Sequence, residues 1–578
     1  MFGFTYLEDN NQKYNIQDLS CKALKGKDYI ACNNMINRFS QDKVFYDSEK
    51  YLVILDGVII NKNEILKSLK EDNWANSIID LYNQKGETFF NLFRGSFSGI
   101  IKDKTLGKTI IFSDHIGSKI LYYIKENDFF FVTSYMPNTY SFMKDNNIHY
   151  SMSHEGAYML LCHGYMIDDV TICEQVKRIY PGHYLVLENN ILHDKEFCKF
   201  NNKKTNVSID EAVEIIDNYF SKACQNEFEK DCEYSYKHIA SLSGGLDSRM
   251  TSLIADELGY KEQLNITFSQ SGYWDETIPR QITEDYRHDW IFRNLDSGRW
   301  LLDYEDIINV TGGNVLYYGQ AHGNSLLKLL NTNDYGILHT GQLGDVFVGR
   351  TYAGESYKED FAPYKLEDRA YSTKYIDKLS NYKLKYEHEN KELGVLYNRG
   401  FNGMNNGIVC IYNKLESYSP FLDVDFIKQS LQLPVIWNNK NLIYNSWIEK
   451  KHPNFLNYGW EALNGHRINE KKKKIFKYEY YKDEWYFLIR EKILTLFGKQ
   501  RGLPYIVEKH NMNPIAYYIN HYDYIRSNLN KYIKENINYI QDMELRKDLN
   551  DLFKIGNGPE ITQALTLIAT NKLFFSLQ

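Results

Sequence analysis

The sequence lacks several features that would assign it to a broad class. The one basic cluster, at 471–474, has four lysines, and the chain has a net charge of -7 and a pI of about 6.1. Nucleic-acid-binding proteins normally concentrate basic residues on one surface, so we expect no nucleic-acid partner. No apolar run reaches the roughly 18 residues of a membrane span, and the start of the chain lacks the layout of a signal peptide. These absences predict a cytoplasmic protein without membrane contact.

Cysteine is also sparse and scattered. The chain has 8 cysteines in 578 residues, and no two of them form a CxxC pair. Disulfide frameworks occur in shorter, cysteine-denser chains, and zinc or iron–sulfur sites need closer spacings. What is present is ordinary globular composition, with 43% hydrophobic and 25% charged residues. The length favours two or three domains.

The first 200 or so residues have the pattern of short strands. Apolar stretches rich in β-branched and aromatic residues lie at Tyr51–Ile60, Lys108–Ser113 and Phe129–Thr133, separated by Gly, Asp and Asn. One helix is predicted at Asn76–Gln84, where apolar residues recur at helical spacing. The polar stretch 201–208 has no periodicity, so we expect a linker there.

After the linker the pattern changes to alternating strands and helices. Ser208 and Glu211 form a capping-box pattern that opens a helix running toward Phe228. The predicted elements that follow are a strand at Tyr236–Leu242, a helix at Asp247–Leu258, and strands at Gln263–Phe268 and Tyr335–His339. Alternating strands and helices predict a parallel α/β sheet. From about residue 360 the pattern is mainly helical.

The sharpest signal is the stretch Ser241-Leu-Ser-Gly-Gly-Leu-Asp-Ser-Arg249 between a predicted strand and a predicted helix. Glycines allow a tight turn and close approach to a ligand, and the start of the helix favours an anion. Asp247 would repel phosphate unless a cation lay between them, which indicates Mg²⁺. The stretch is not a GxxxxGK[ST] loop, because no lysine follows the glycines.

This stretch resembles the pyrophosphate loop (PP-loop) of the ATP pyrophosphatase superfamily, whose members cleave ATP between the α- and β-phosphates. The resemblance implies ATP and Mg²⁺ as cofactors. The nucleotide-binding residues implied are Leu242, Ser243, Gly244, Gly245, Leu246, Asp247, Ser248 and Gly341.

Further segments are similar to motifs of the asparagine synthetase family, in the same order and over roughly residues 1 to 460. They are Leu55–Asn61 (similar to "NGEIYN"), Phe112–Tyr123 ("RDxxGxxPLYY"), Arg178–His183 ("PPG"), Thr340–Asp345 ("SGEGADE") and Ser419–Asp423 ("VPFLD"). The fold implied is α/β. An amidotransferase-like, Ntn-type β-sandwich domain (1–205) would precede a PP-loop, adenine-nucleotide α-hydrolase-like synthetase domain (206–578) with a helical C-terminal part. Asp345 would share Mg²⁺ with Asp247.

The amino-terminal half departs from the family at its nucleophile. Glutamine-hydrolysing relatives use a cysteine exposed at the chain start by removal of Met. Here Phe2 follows Met1, Trp74 stands where the family binds the glutamine amino group, and the glutamate of "NGE" has become Val58. Arg38 is the one candidate remnant of the glutamine carboxylate clamp. We therefore expect a retained shell without glutaminase activity.

The synthetase half departs as well. Gln342 replaces the glutamate of "SGEGADE", and an amide cannot act as a general base. Where the family carries a lysine, the sequence has Glu461, with Arg467 and Lys471 as the nearest cations. Asparagine is therefore not the expected product. The degenerate relatives implied are β-lactam synthetase, lasso-peptide cyclases and asparagine synthetase-like proteins of polysaccharide clusters.

The sequence thus predicts an AMP-forming carbon–nitrogen ligase with Asp247, Gln342 and Asp345 in its catalytic site. It would join a carboxylate substrate to an amine acceptor on a small molecule, sugar or peptide. A lasso-peptide-type macrolactam cyclase and a non-catalytic nucleotide-binding scaffold remain alternatives, and a homodimer or a pathway partner protein stays open. Nucleoside thiolation and sulfonucleotide reduction are disfavoured, because they need a basic surface or redox cysteines.

Overall fold

The computed structural model describes residues 3–16, 21–349, 362–434, 437, 441–475, 478–481, 510–555 and 558–576. Residues up to 196 form two six-stranded sheets, with the spatial orders β10-β8-β9-β1-β3-β2 and β12-β11-β7-β6-β5-β4, and all their pairings are antiparallel. The strands are β1 (Gly3–Glu8), β2 (Lys22–Lys25), β3 (Tyr29–Asn34), β4 (Val44–Asp47), β5 (Tyr51–Ile59), β6 (Gly95–Asp103), β7 (Lys108–Ser113), β8 (Tyr122–Lys125), β9 (Phe130–Thr133), β10 (Lys177–Arg178), β11 (His183–Glu188) and β12 (Ile191–Glu196).

The two sheets form a sandwich whose outer faces are covered by helices. In β5, Leu52 and Ile54 enter the core between the sheets, whereas Val53 and Leu55 pack under the outer helices. Successive side chains of a strand point to opposite faces, so a strand covered on both sides is apolar throughout. This explains the apolar run Leu52–Leu55 in the sequence. The covering helices are α1 (Lys62–Leu69), α2 (Trp74–Lys85), α3 (Pro137–Asp145) and α4 (His154–His163).

The second half is built on a five-stranded parallel sheet with the order β15-β14-β13-β16-β17. Its strands are β13 (Lys237–Ser241), β14 (Gln263–Ser269), β15 (Asp289–Asn294), β16 (Tyr335–His339) and β17 (Glu416–Tyr418). The chain leaves β13 toward β14 on one side and returns on its other side as β16. The strand order therefore reverses between β13 and β16, and open α/β sheets bind ligands at such a switch point, beyond the carboxyl ends of the strands.

The helices of this half flank the sheet and continue to the end of the chain. The long α5 starts at a complete capping box, in which Ser208 and Glu211 each bond the other's backbone. A π-helical stretch, Leu396–Met404, continues α11. The helices are α5 (Ile209–Glu233), α6 (Asp247–Glu257), α7 (Trp274–Tyr286), α8 (Tyr304–Thr311), α9 (Tyr318–Leu327), α10 (Gly344–Phe347), α11 (Lys391–Val395), α12 (Val424–Leu431), α13 (Leu442–Lys451), α14 (Ile515–His521), α15 (Asp523–Asn536), α16 (Met543–Ile555) and α17 (Gly558–Thr570).

The strands and helices predicted from the sequence are confirmed to within a few residues, but the structure adds others. The sequence pattern missed β15, and β17 interrupts the region that we expected to be mainly helical. A short hairpin, β18 (Lys473–Ile475) with β19 (Tyr478–Tyr480), also falls in that region. The boundary at 205/206 stays a prediction. Among the helices of the described residues, none combines the length and the apolar character needed to span a bilayer.

The last helices pack against the first half of the chain. Side chains of α14 to α17 share one apolar core with α3, α4, α8 and the outer face of the first sheet. The Tyr140 ring stacks on Phe574 with centroids 4.2 Å apart, and the Tyr158 hydroxyl donates to an Asp548 carboxylate oxygen at 2.8 Å. These helices therefore brace α4 and its carboxyl end.

Candidate active site

The loop between β13 and α6 lies at the switch point of the parallel sheet. The Gly244 amide donates to Asp275 Oδ1 at 2.6 Å, and the Ser243 amide donates to Ser248 Oγ at 2.9 Å. A Cβ on Gly244 would lie 2.9 Å from the Trp274 carbonyl oxygen, so the turn requires glycine. Buried Leu242 and Leu246 anchor the two ends of the loop, and Gly245 lies between them.

The start of α6 is suited to an anion. No side chain caps this helix end. The first N–H groups of a helix have no partner within the helix, and the helix dipole is positive there. The hydroxyls of Ser243 and Ser248, 3.0 Å apart, lie beside it. These groups can together bind phosphate oxygens.

The loop after β16 packs directly against the start of α6. A Cβ on Gly341 would lie 2.3 Å from the Ser248 nitrogen, and one on Gly344 would lie 2.6 Å from the Asp247 carboxyl carbon. Between them, Leu343 has a φ of 64°, in the left-handed region. The glycines of the Thr340–Asp345 motif are thus needed for close contact with Asp247.

This contact brings the two acidic residues together. The Asp345 amide donates to Asp247 Oδ2 at 3.0 Å, and the Tyr444 hydroxyl donates to Asp247 Oδ1 at 2.8 Å. Burial, and then the charge of Asp345, raise the pKa of Asp247 to about 7. A divalent cation would relieve this repulsion, and hard cations prefer carboxylate oxygens. Asp247 and Asp345 therefore fit a magnesium site.

Gln342 lies on the same loop and lines the cavity described next. Its Nε2 donates to the Met404 carbonyl oxygen at 3.0 Å, and its backbone carbonyl accepts from Ser419 Oγ at 3.2 Å. Ser419 begins the motif that is similar to "VPFLD". This motif thus supports the loop that carries Gln342.

A cavity of about 670 Å³ opens beyond these loops. That volume lies within the roughly 300–1,000 Å³ typical of small-molecule sites. One end is formed by Ser243, Gly245, Asp247, Ser248 and the loop 340–342. The rest of the wall comes from several separate segments and is mostly apolar. These lining residues are His163, Gly164, Tyr165, Ser241, Phe268, Val315, Leu316, Tyr318, Gly319, Gln320, Tyr371, Arg399, Gly403, Met404, Gly407 and Ile408.

His163, at the carboxyl end of α4, lines this cavity, although no sequence motif singles it out. Neither ring nitrogen has a hydrogen-bond partner among the described residues, and the residue is 4% exposed. Burial, and then the charge of Arg399, lower the pKa of His163 to about 4. A histidine before a glycine at a helix end is an ordinary pattern, so only the tertiary structure identifies it.

Three other residues, Glu461, Tyr273 and Arg249, support the loop 242–248 from behind. The Glu461 amide donates to the Gly244 carbonyl at 3.0 Å, and the Glu461 carboxylate accepts from the Tyr273 hydroxyl at 2.6 Å. The Arg249 guanidinium is buried and donates to the Gly459 carbonyl. Among the lining residues in the described part of the chain, Arg399 carries the only permanent positive charge. Arg467 and Lys471 are exposed and do not line the cavity.

A second, much smaller cavity of about 50 Å³ lies at the first strand, beside Gly3, Asp56 and Lys119. Lys43 contacts Asp56 at 3.2 Å and Glu416 at 2.7 Å, and Lys119 contacts Glu416 at 2.6 Å. Glu416 belongs to β17, so the parallel sheet supplies part of this cluster. Met1 and Phe2, on which the prediction of a missing nucleophile depends, lie outside the described residues.

Arg38 and Trp74, which the family resemblance places where glutamine would bind, have structural contacts. The Arg38 guanidinium donates to the carbonyls of Thr332, Tyr335 and Lys414, so it ties the chain to the parallel sheet instead of facing a glutamine pocket. The Trp74 indole N–H donates to the Asp42 carbonyl at 2.9 Å. Both side chains therefore serve packing.

Comparison with known proteins gives one family match. Residues 30–198 match the model of a glutamine amidotransferase domain. They contain most of the two antiparallel sheets. A search of curated proteins returned no significant match. The match therefore concerns the first half of the chain.

Among solved structures, two matches are distant and have low TM-scores. Glutamine phosphoribosylpyrophosphate amidotransferase from B. subtilis, complexed with ADP and GMP, is 11% identical with a TM-score of 0.22, and the match covers 45% of this chain and 58% of that one. A structure described as the allosteric regulatory enzyme of purine biosynthesis is 9% identical with a TM-score of 0.24, and the match covers 50% of this chain and 74% of that one. The chain thus spans little more than half the length of the first.

Proposed function

We propose that the protein is an ATP-dependent enzyme that forms an amide bond without glutaminase activity of its own. It would adenylate a substrate carboxylate, release pyrophosphate, and transfer the acyl group to an amine of a small molecule, sugar or peptide. The observation that carries this proposal is that Asp247 lines one end of a cavity of about 670 Å³ together with Ser243, Gly245 and Ser248. Asp345 lies behind this end and donates its amide to Asp247 Oδ2 at 3.0 Å.

The nucleotide end of the cavity would work through three groups. The start of α6 and the hydroxyls of Ser243 and Ser248 would bind phosphate oxygens. Asp247 and Asp345 would hold Mg²⁺, which neutralises phosphate charge when bound. The remaining cavity is large enough for an acyl group and an acceptor beside the nucleotide.

Amide formation, and not hydrolysis, is favoured by the wall of the cavity. That wall is mostly apolar, which limits the water available to an activated acyl group. Gln342 lies at the junction of the nucleotide end and this wall, where it can orient a reacting group by hydrogen bonds but cannot take a proton. The resemblance to asparagine synthetases supplies the reaction type.

The small size of the cavity near Gly3 supports the absence of glutaminase activity. Its volume of about 50 Å³ is far below that of a small-molecule site, and buried ion pairs occupy its surroundings. We infer that the amine arrives as such and is not produced here from glutamine.

The test is ATP–pyrophosphate exchange by the full chain over a panel of amino acids, dicarboxylates and peptide carboxylates. We expect exchange that depends on Mg²⁺ and on one class of carboxylate, with AMP and pyrophosphate as products. Release of ADP and phosphate would show that the nucleotide chemistry is wrong. Glutamate release from glutamine, sensitive to a thiol alkylator, would contradict the second part of the proposal.

A nucleotide-binding scaffold is the one alternative with an observation in its favour. The Gly244 amide, which a phosphate would need, already donates to Asp275. Nucleotide binding without exchange for any carboxylate would support that alternative.

A further inference from the structure

A partly exposed arginine lies in the wall of the large cavity. Arg399 lines the cavity together with the loop 340–342 and the residues of the nucleotide end. Among the lining residues that the structure describes, no other side chain is permanently positive. The rest of the wall is mostly apolar, and apolar walls screen a charge less than water does. An arginine in such a wall is suited to bind a carboxylate or a phosphate with its planar fork of N–H donors.

Neighbouring residues place the guanidinium of Arg399 at this wall. Its Nη1 donates to the Arg369 carbonyl oxygen at 3.3 Å, and Tyr371, two residues further along the chain, lines the cavity. After burial, the charge of Arg399 is the second cause of the lowered pKa of His163, another residue of the wall. Arg399 is partly exposed, in contrast to the buried Arg249 behind the loop 242–248. A molecule bound in the cavity can therefore contact Arg399.

The helix that carries Arg399 connects it to the nucleotide end. Arg399 belongs to the π-helical stretch Leu396–Met404, and π-helical geometry occurs frequently at functional sites. Residues five apart lie about one turn apart in this geometry, so Arg399 and Met404 lie on the same side, and both line the cavity. The Met404 carbonyl accepts from Gln342 Nε2 at 3.0 Å. Arg399 is thus about one turn from the residue that contacts Gln342.

Another side of the π-helical stretch is fixed to the first half of the chain. Asn398 Oδ1 accepts from the Asp168 amide at 3.0 Å, and Asn402 Nδ2 donates to the Asp168 carbonyl at 2.8 Å. Both asparagines are fully buried. These bonds fix the position of the backbone that carries Arg399. A preorganised site loses less conformational entropy when a ligand binds.

We propose that Arg399 binds an anionic group, a carboxylate or a phosphate, of the amine acceptor. This inference rests on the proposed function, in which the acyl-adenylate occupies the nucleotide end of the cavity. The part of the cavity beyond Gln342 is then left for the acceptor, and Arg399 lies in the wall of that part. The acceptor would be an amino acid, a peptide with a carboxylate or a phosphorylated amine, and not ammonia or a neutral amine. Arg399 would thus determine which amine is used.

The test compares the wild-type full chain with Arg399→Gln in amide formation from ATP, Mg²⁺ and a carboxylate active in pyrophosphate exchange. The amines form two pairs in which one member is anionic, glycine with glycinamide and 2-aminoethyl phosphate with ethanolamine. We expect the wild type to prefer the anionic member of one pair by about 10–100-fold in kcat/KM, as expected for hydrogen bonds to a charged group. The pair that shows the preference distinguishes a carboxylate from a phosphate. Arg399→Gln should lose the preference.

Two further variants separate charge from geometry and from position. Arg399→Lys should keep part of the preference, since it retains the positive charge but not the planar fork. The matched control is Arg369→Gln, which removes a neighbouring positive charge that does not line the cavity and should leave the preference unchanged. Pyrophosphate exchange and the KM for ATP should be unchanged in all three variants.

Several results overturn the proposal. One is a wild type that uses anionic and neutral amines equally well. Others are an equal loss with both kinds of amine in Arg399→Gln, or a raised KM for ATP, which would assign Arg399 to the nucleotide. A preference that follows the charge of the carboxylate substrate instead of the amine also overturns it.

A second measurement does not depend on catalysis. Phenylglyoxal modifies accessible arginines, and peptide mapping locates the modified residue. With α,β-methylene ATP and Mg²⁺ present, we expect glycine or 2-aminoethyl phosphate to slow the modification of Arg399 more than glycinamide or ethanolamine does. Equal protection by charged and neutral amines overturns the proposal. A wild type that shows no pyrophosphate exchange with any carboxylate is a different result, because it removes the proposed function while the protection of Arg399 still reports on the anion site.

Discussion

The small cavity beside Gly3 and the large cavity at the edge of the parallel sheet differ in what surrounds them. Around the first, two lysines and two carboxylates neutralise each other in a space of about 50 Å³. Around the second, glycines bring two loops together, and an imidazole in the wall has no partner among the described residues. Paired charges indicate packing, whereas a cavity of about 670 Å³ bordered by two glycine-containing loops has room for a ligand. The comparison favours a structural role for the first site and ligand binding at the second.

The largest expected effect tests the first half of this comparison. Glu416→Gln removes the charge that Lys43 and Lys119 share and leaves two buried ammonium groups with Asp56 alone. Breaking a buried ion pair costs about 3–5 kcal/mol, so the free energy of unfolding should fall by that amount. Urea unfolding measures it.

The control is Glu544→Gln, because Glu544 pairs with Lys378 in an exposed ion pair. Exposed pairs contribute about 0–1 kcal/mol. If the free energy of unfolding fell by the same small amount in both variants, the cluster beside Gly3 would not be holding the two halves of the chain together.

The second effect tests the large cavity. Asp247→Asn should lower AMP formation by about 10²–10³-fold, similar to the loss of one preorganised charge-stabilising group. The free energy of unfolding should fall by no more than about 1–2 kcal/mol, because the asparagine oxygen still accepts from the Tyr444 hydroxyl and only the bond from the Asp345 amide is lost. Chelation of Mg²⁺ should inhibit the wild type and add nothing to the variant. Asp256→Asn, on the same helix but hydrogen-bonded to His288, is the matched control.

The two loops at the large cavity could be predicted from short stretches of sequence. The loop 242–248 and the motif 340–345 each have glycines at positions that the structure requires, and the parallel sheet places the two loops side by side. Strand β17, which pairs with β16 at the edge of the parallel sheet, was harder to predict. Strand β17 has only three residues, Glu416–Tyr418, too short to show a period.

Residues that act through tertiary contacts could not be predicted from the sequence. His163 is 84 residues from the loop that faces it in the cavity, counted from Asp247, and has an unremarkable local pattern. Arg249 follows directly after the loop motif, yet its guanidinium points back to the Gly459 carbonyl. Arg38 was interpreted as a remnant of a ligand clamp, but it binds backbone carbonyls. Sequence position gives proximity along the chain and not the direction of a side chain.

The third prediction concerns paired charge beneath the large cavity. His339, in β16, lies between Glu227 and Asp231, with contacts of 2.6 and 2.8 Å. Burial by itself would lower the pKa of His339. The charge of Asp231 and the hydrogen bonds to both carboxylates outweigh burial and raise this pKa to about 9. A raised pKa stabilises the fold below the unfolded value of about 6.5 and loses this effect as pH rises through 9. The unfolding free energy should therefore decline by about 1–3 kcal/mol over that window.

Urea unfolding between pH 6 and 9.5 measures this decline, and His339→Gln should flatten it. His288→Gln is the control, because burial lowers the pKa of His288. A profile of the same slope in His339→Gln would show that other groups cause the pH dependence. Such a result would limit the role of paired charge to the first half of the chain.

The smallest expected effect concerns Gln342. This residue is hydrogen-bonded like a residue of a packed site, and it also lines the large cavity. Its Nε2 is paired with the Met404 carbonyl, as in a packed site, yet it lines the large cavity. Gln342→Ala removes one hydrogen bond of about 1 kcal/mol, so amide formation should slow by roughly 3–10-fold while adenylation is unchanged. Pre-steady-state measurement of the two steps separates a role at the acceptor from general loosening of the loop, which would slow both.

Gln342→Glu sharpens the distinction, because it restores the acidic residue of the asparagine synthetase motif. If a base at 342 were what the chain lacks, this variant would speed amide formation. We expect it to be slower than wild type, since a carboxylate there would face the Met404 carbonyl and add charge beside Asp247 and Asp345.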